Sequence, residues 1–259
     1  MSQMLKTPLK CPHKFASLDY LKDNLDVTTP IDCFAFGSGA MEFGLMRHGF
    51  NVTAFTNLYH IWEFWRCAIT SPMNLIGKAE FFHENMDDKQ VAYYRDNWYK
   101  QFTDPFQRAS IFYLLNRYSD DGIFSYSELT RHNFSKLNIV SFERFIPFLQ
   151  NLNLIYDNQV DFTNSFEHLN SENILFISIG ALKHKLLKSK EARTPETYYF
   201  NHEKIHEYFD SKRQKVILLY KHNSLVEKLP FNKTYINKFG IKTENSEFAE
   251  DTIVANFDL

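Results

Sequence analysis

Apolar residues fall into short unbroken runs toward both ends of the chain and into helical spacing through its middle. Ile31-Asp32-Cys33-Phe34-Ala35 predicts a short buried strand, and Gly37-Ser38-Gly39 a tight turn after it. Met41 to His48 then has helical spacing, which Gly49 can end in the left-handed conformation that only glycine adopts cheaply. Asn51 to Thr56 predicts a second strand, which completes a βαβ unit with its glycines at the first strand-to-helix turn.

Beyond that unit the period is helical. Tyr59 to Ala68 predicts a helix ended by Ser71-Pro72, and Gln90 to Phe102 an amphipathic one. Asp104-Pro105 is a cap followed by proline at the first helical position, opening a helix to about Asn116. Asp120-Asp121-Gly122 marks a turn, and Ser141 with Glu143 begins a helix over Phe142 to Leu152 that Pro147 can kink. Strand-like runs return at Ile174 to Ile177 and Val216 to Tyr220, with a helix over Glu203 to Phe209 between them. Ile253 to Phe257 predicts a last edge strand. Strands and helices alternating at both ends imply an α/β domain over residues 1–100 and 161–259. A mainly helical subdomain is inserted over residues 101–160.

Composition narrows the chemistry. A chain of 259 residues can bury one sizeable core plus a small insertion. The 26 phenylalanines, beside many Asn, Lys and Ile residues, read as the bias of an AT-rich genome rather than as a binding surface. A net charge of −2 supplies no global basic field, so any DNA contact must come from a local patch. Cys11, Cys33 and Cys67 form no C-x-x-C pair, which argues against a zinc site or a disulfide framework. Cys11 and His13 could begin a metal site, but with no second pair they read as loop residues. The first residues lack the apolar core of a signal peptide, and Ile174 to Leu182 is too short to cross a bilayer. The expectation is a soluble, cytoplasmic protein without membrane contact.

The glycine turn has two readings: a bed for a nucleotide-like ligand at a helix N-terminus, or a tight turn with no ligand. Ile31 to Ala40 resembles the S-adenosylmethionine motif of the Dam-type adenine-specific DNA methyltransferases, with Phe36 as an added or bulky residue. Asn116-Arg117-Tyr118 with Gly122-Ile123-Phe124 resembles that family's target-recognition segment. Leu219 to Ser224 resembles a later strand, and Tyr235-Ile236-Asn237 with Asp251 to Asn256 its C-terminal hairpin. The resemblance implies a Rossmann-like methyltransferase fold, with a seven-stranded sheet whose last strand is antiparallel. It also implies a donor held by Lys14, Phe34, Gly37, Gly39 and Asn57.

The same resemblance exposes departures. Methylating an adenine amine needs the donor held, the base flipped out and stacked, and the amine oriented by a fixed polar loop. The family uses Asp-Pro-Pro-Tyr, and its counterpart here is Ser178-Ile179-Gly180-Ala181. Ser178 can still accept a hydrogen bond, but no prolines fix the backbone and Ala181 offers no ring. Losing the stacking alone costs on the order of 1–3 kcal/mol. Asn57 stands where the family grips the ribose with an acid, and Pro12-His13-Lys14 keeps only the lysine of a Gly-x-Lys motif. Lys183, Lys185, Lys188 and Lys190, with Arg193, follow the altered motif. They read either as a DNA-phosphate contact or as a solvated helix face; Arg117, Arg131 and His132 could extend the same surface.

Two functions follow from the resemblance. One is a catalytically inactive relative of the kind a phage or mobile element carries, kept to bind DNA or a protein partner or as a structural module. The other is an active, divergent adenine methyltransferase using S-adenosylmethionine, with Ser178 as acceptor and Tyr198 or Tyr199 stacking the base.

Overall fold

The computed structural model describes residues 6–11, 13–156, 172–182, 202–211 and 213–259. After helix α1 (Leu18–Asn24) come strand β1 (Ile31–Phe34), helix α2 (Ala40–Arg47) and strand β2 (Val52–Thr56), the βαβ unit that the sequence predicts. Helices α3 (Tyr59–Thr70), α4 (Pro72–Asn85), α5 (Asp88–Gln101), α6 (Pro105–Tyr118) and α7 (Lys136–Leu149) precede strand β3 (Asn153–Tyr156). Strand β4 (Ile174–Ala181), helix α8 (His202–Asp210), strand β5 (Val216–Lys221) and the single turn α9 (Ser224–Glu227) follow. Strands β6 (Thr234–Asn237), β7 (Lys242–Thr243) and β8 (Ala249–Ala255) end the chain.

Local chemistry explains the helix starts. Asp87 and Gln90 form a reciprocal capping box at α5, and Asp104 accepts from Phe106 N ahead of Pro105 at α6. The predicted start of α7 at Ser141 is corrected: the Asn138 side chain takes the Ser135 N–H at 2.7 Å, and the helix opens at Lys136. Pro72 begins α4 immediately after α3 ends, a helix the apolar spacing did not reveal.

The eight strands of the described residues lie in one sheet in the order β3-β2-β1-β4-β5-β8-β6-β7. β3, β2, β1, β4 and β5 pair in parallel, and β8 runs antiparallel to both β5 and β6. The architecture is mixed α/β and compatible with the Rossmann-like class. Its last strand is antiparallel, and the two-residue β7 is an addition. The expectation of an edge strand at Ile253 to Phe257 is corrected, since β8 is paired on both sides and ends at Ala255.

Alternating strand residues divide the core. Phe34, Leu175, Ile177, Leu218 and Tyr220 meet Ile205 and Phe209 of α8, whereas Ile31, Cys33, Phe176 and Leu219 meet α1 and α2. A third cluster, rich in rings, packs α3 to α7 around α6, which is buried along nearly its whole length from Ala109. No helix among the described residues is long and apolar enough to cross a membrane.

Candidate functional site at the switch point of the sheet

The chain leaves β1 toward β2 on one side and returns from β3 to β4 on the other. The crevice beyond the carboxyl ends of β1 and β4 is therefore the topological switch point, where open α/β sheets bind ligands. Ala35 adopts φ 63°, a strained left-handed conformation for a residue with a side chain. The next residue, Phe36, gives its N–H to Phe55 O at 3.0 Å and is fully buried in the ring-rich cluster, 5.4 Å from Trp65 and 6.3 Å from Phe43 between ring centroids. Trp65 donates its indole N–H to Gly37 O at 2.8 Å. Gly39 sits at φ 74° at the start of α2, and a Cβ there would stand 2.7 Å from Phe43 and 2.9 Å from Phe36. One flank of the turn is thus filled by rings. Beside Gly37, by contrast, a Cβ would meet nothing beyond its chain neighbours nearer than Ala35 O at 4.0 Å.

The first turn of α2 carries its own carboxyl group. Glu42 is buried, accepts from the backbone N–H groups of Met41 and of itself, and is pushed up to about 7 by burial. The Cys11 thiol meets the Ser38 hydroxyl beside it, and burial pushes both Cys11 and Cys33 upward, away from the thiolate a nucleophile requires. No group of three or more His, Cys, Asp or Glu side chains suited to a metal occurs among the described residues.

On the other side of the crevice, Ser178-Ile179-Gly180-Ala181 belongs to β4 itself. Ser178 pairs with Leu219, Gly180 with Tyr220 and Ala181 with Lys221, with an irregularity between Ser178 and Gly180. The expectation of an unfixed backbone is corrected, because pairing with β5 holds this segment. Gly180 adopts φ 78°, the His13 ring lies against it, and Ala181 N–H donates to His13 Nε2 at 3.3 Å.

The remaining predicted site residues separate. Asn57 follows β2 half-buried, at the carboxyl edge. Phe34 is fully buried and stacked on Phe55 at 4.9 Å, as a packing residue between sheet and helix. Lys14 is exposed, and its carbonyl accepts from Lys221 Nζ at 2.8 Å. Arg117 is half-buried on the last turn of α6, where burial lowers its basicity and its carbonyl accepts from Lys10 Nζ at 2.8 Å. Arg131 donates to His83 O at 2.6 Å. Lys183, Lys185, Lys188, Lys190, Arg193, Tyr198 and Tyr199 lie outside the described residues.

Sequence reasoning missed the polar anchors that hold this arrangement. The fully buried Asp251 takes Ser17 N at 2.9 Å, Ser17 Oγ at 2.6 Å and Lys221 Nζ at 2.7 Å. The half-buried Arg108 and the buried Glu63 form a bidentate pair joining α6 to α3. Neither has a local signal, since the partners lie far apart in the chain. No protein-family model matches the chain, and no curated protein matches it in sequence.

Proposed function

We propose that the chain is a non-catalytic relative of the Dam-type adenine methyltransferases, retained as a DNA-binding or structural module. The strand order, the antiparallel last strand and the glycine turn at the switch point support the relationship. What carries the loss of catalysis is the pairing of Ser178 to Ala181 with β5. A loop that must present a carbonyl and a flat ring to a flipped adenine is here a strand, and Ala181 has no ring to offer.

The residues do not fit S-adenosylmethionine in the way the family holds it. Phe34 is committed to the core, the Gly37 carbonyl is taken by Trp65, and Asn57 binds a ribose hydroxyl less strongly than a carboxylate does. Calorimetric titration with S-adenosylmethionine, followed by incubation with labelled donor and adenine-containing duplex, tests the proposal. The expected outcome is neither heat nor label. Micromolar binding with methyl transfer that disappears in Ser178→Ala would establish the divergent enzyme instead. For the DNA-binding role, anisotropy with a duplex is expected to show affinity that falls steeply as salt rises; salt-independent or absent binding leaves the structural role.

A further inference from the structure

β7 is the last strand of the sheet, and among the described residues nothing pairs with its outer side. The hairpin register fixes which groups that side presents. Asn237 N donates to Ile241 O at 2.9 Å, so Asn237 and Ile241 face each other as a hydrogen-bonded pair. Ile236 and Lys242 then form a non-bonded pair, and Tyr235 and Thr243 a bonded one. Thr243 therefore turns its main-chain N–H and C=O toward β6, whereas those of Lys242 and Glu244 point outward. The side chains of Lys242 and Glu244 are both exposed.

Large apolar side chains flank this edge. Ile241, just before the strand, is 62% exposed, and Phe239 in the hairpin loop is 50% exposed. Phe248 is 68% exposed on a single 3-10 turn, Ser246–Phe248, that packs against β6. Together they give the hairpin end of the sheet an apolar rim. A short edge that carries lysine ordinarily keeps a sheet from pairing with itself, because a copy would set like charge against like. Here the residue two positions on is an acid, and that changes the sign. An antiparallel copy related by a two-fold axis at Thr243 sets Lys242 opposite Glu244 in both directions.

We propose that β7 is a homodimerisation edge, pairing antiparallel with β7 of a second copy about a two-fold axis through Thr243. In that register Lys242 and Glu244 of opposite copies are bonded pairs, each exchanging both main-chain hydrogen bonds through the groups that β6 leaves outward. Their side chains lie on one face as opposite-charge pairs, and Thr243 meets its own copy on the other face. Moving the axis to Lys242 or to Glu244 sets like charges opposite, so charge selects the register. β5, β8 and β6 separate this edge from β4, and the pairing is independent of the crevice and of the methyltransferase relationship.

Sedimentation velocity on the full chain tests the proposal, at concentrations up to about 200 µM because an edge this small associates weakly. A concentration-dependent equilibrium between monomer and dimer is expected. Lys242→Glu sets like charges opposite across the axis and is expected to weaken association at least about tenfold, as is Glu244→Lys. Joining both reversals in one chain restores opposite charges and is expected to return the affinity to that of the unmutated protein. Both side chains are exposed, so these variants fold as the original does. The axis also brings the Cα atoms of Thr243 and its copy about 4.5 Å apart, within disulfide reach, and Thr243→Cys is expected to oxidise to a covalent dimer. A protein monomeric at every concentration, or an association that the double reversal fails to restore, would overturn the proposal.

Discussion

Trp65 donates its indole N–H to the carbonyl of Gly37 at 2.8 Å, and so ties the ring-rich helical cluster to the glycine turn of the sheet. Replacing Trp65 with Phe keeps much of the packing and leaves the carbonyl without its donor. The expected loss is about 1–3 kcal/mol, read from urea unfolding with an unchanged m-value. A loss well below about 1 kcal/mol would mean that ring volume, and not the hydrogen bond, makes this contact matter.

The two glycines of the turn are expected to behave oppositely. Gly39→Ala meets both a left-handed backbone and the Phe43 ring, and is expected to destabilise by about 2 kcal/mol or more. Gly37→Ala has open space and no positive φ, and is expected to fall within about 0.5 kcal/mol of the original protein. Thermal melts of the pair decide this, and equal effects would contradict the geometry.

How much of this was legible depends on the range of the interactions. Ile31 to Thr56 advertises its strand, turn, helix and strand, and Asp104 the start of α6, because runs of apolar residues and a cap act within a few residues. β3, the short run Asn153 to Tyr156, gives little strand signal because half of it is exposed and its pattern is weak. At the site, the glycine turn and the altered Ser178 segment were readable as types of residue. The strand pairing of Ser178 to Ala181, the His13 contact and the Ser17 bond to Asp251 were not, because each joins segments that only the folded sheet brings together.

Two buried groups give stability opposite dependences on pH. Glu42 is raised from 4.5 to about 7, so its folded form favours the proton. Its contribution is full below about 4.5 and is lost as pH rises through 7, worth about 3 kcal/mol at most. His202 is lowered from 6.5 to about 4 by burial and by neighbouring His206. Its contribution is present above 6.5 and is lost as pH falls through 4. The two nearly cancel between these limits. Glu42→Gln is therefore expected to make stability rise with pH from 4.5 to 6.5, and His202→Phe to make it fall. Denaturant titrations across that range check both slopes, and parallel slopes would contradict the assignment.

Asp251 is fully buried beneath three donors from Ala16 and Ser17 and beside the ammonium of Lys221. Asp251→Ala leaves the Ala16 and Ser17 donors without their acceptor and the Lys221 ammonium with only Glu250 and the Lys14 carbonyl; it is expected to cost about 3–5 kcal/mol, and pairing it with Lys221→Met should recover part of the loss. A double-mutant cycle in chemical denaturation measures the coupling, and strict additivity would show the pair to be independent.

Because β8 lies between β5 and β6, the order of synthesis differs from the order of assembly. A nascent chain can align its five parallel strands and still present the bare flank of β5, while the β6–β7 hairpin has nothing in the sheet to grip. Only when residues 249–255 slide in as a wedge does that flank acquire a neighbour and the hairpin a place. Until then the growing polypeptide carries an adhesive border, which makes the interval before residues 249–255 emerge its period of greatest exposure to self-association.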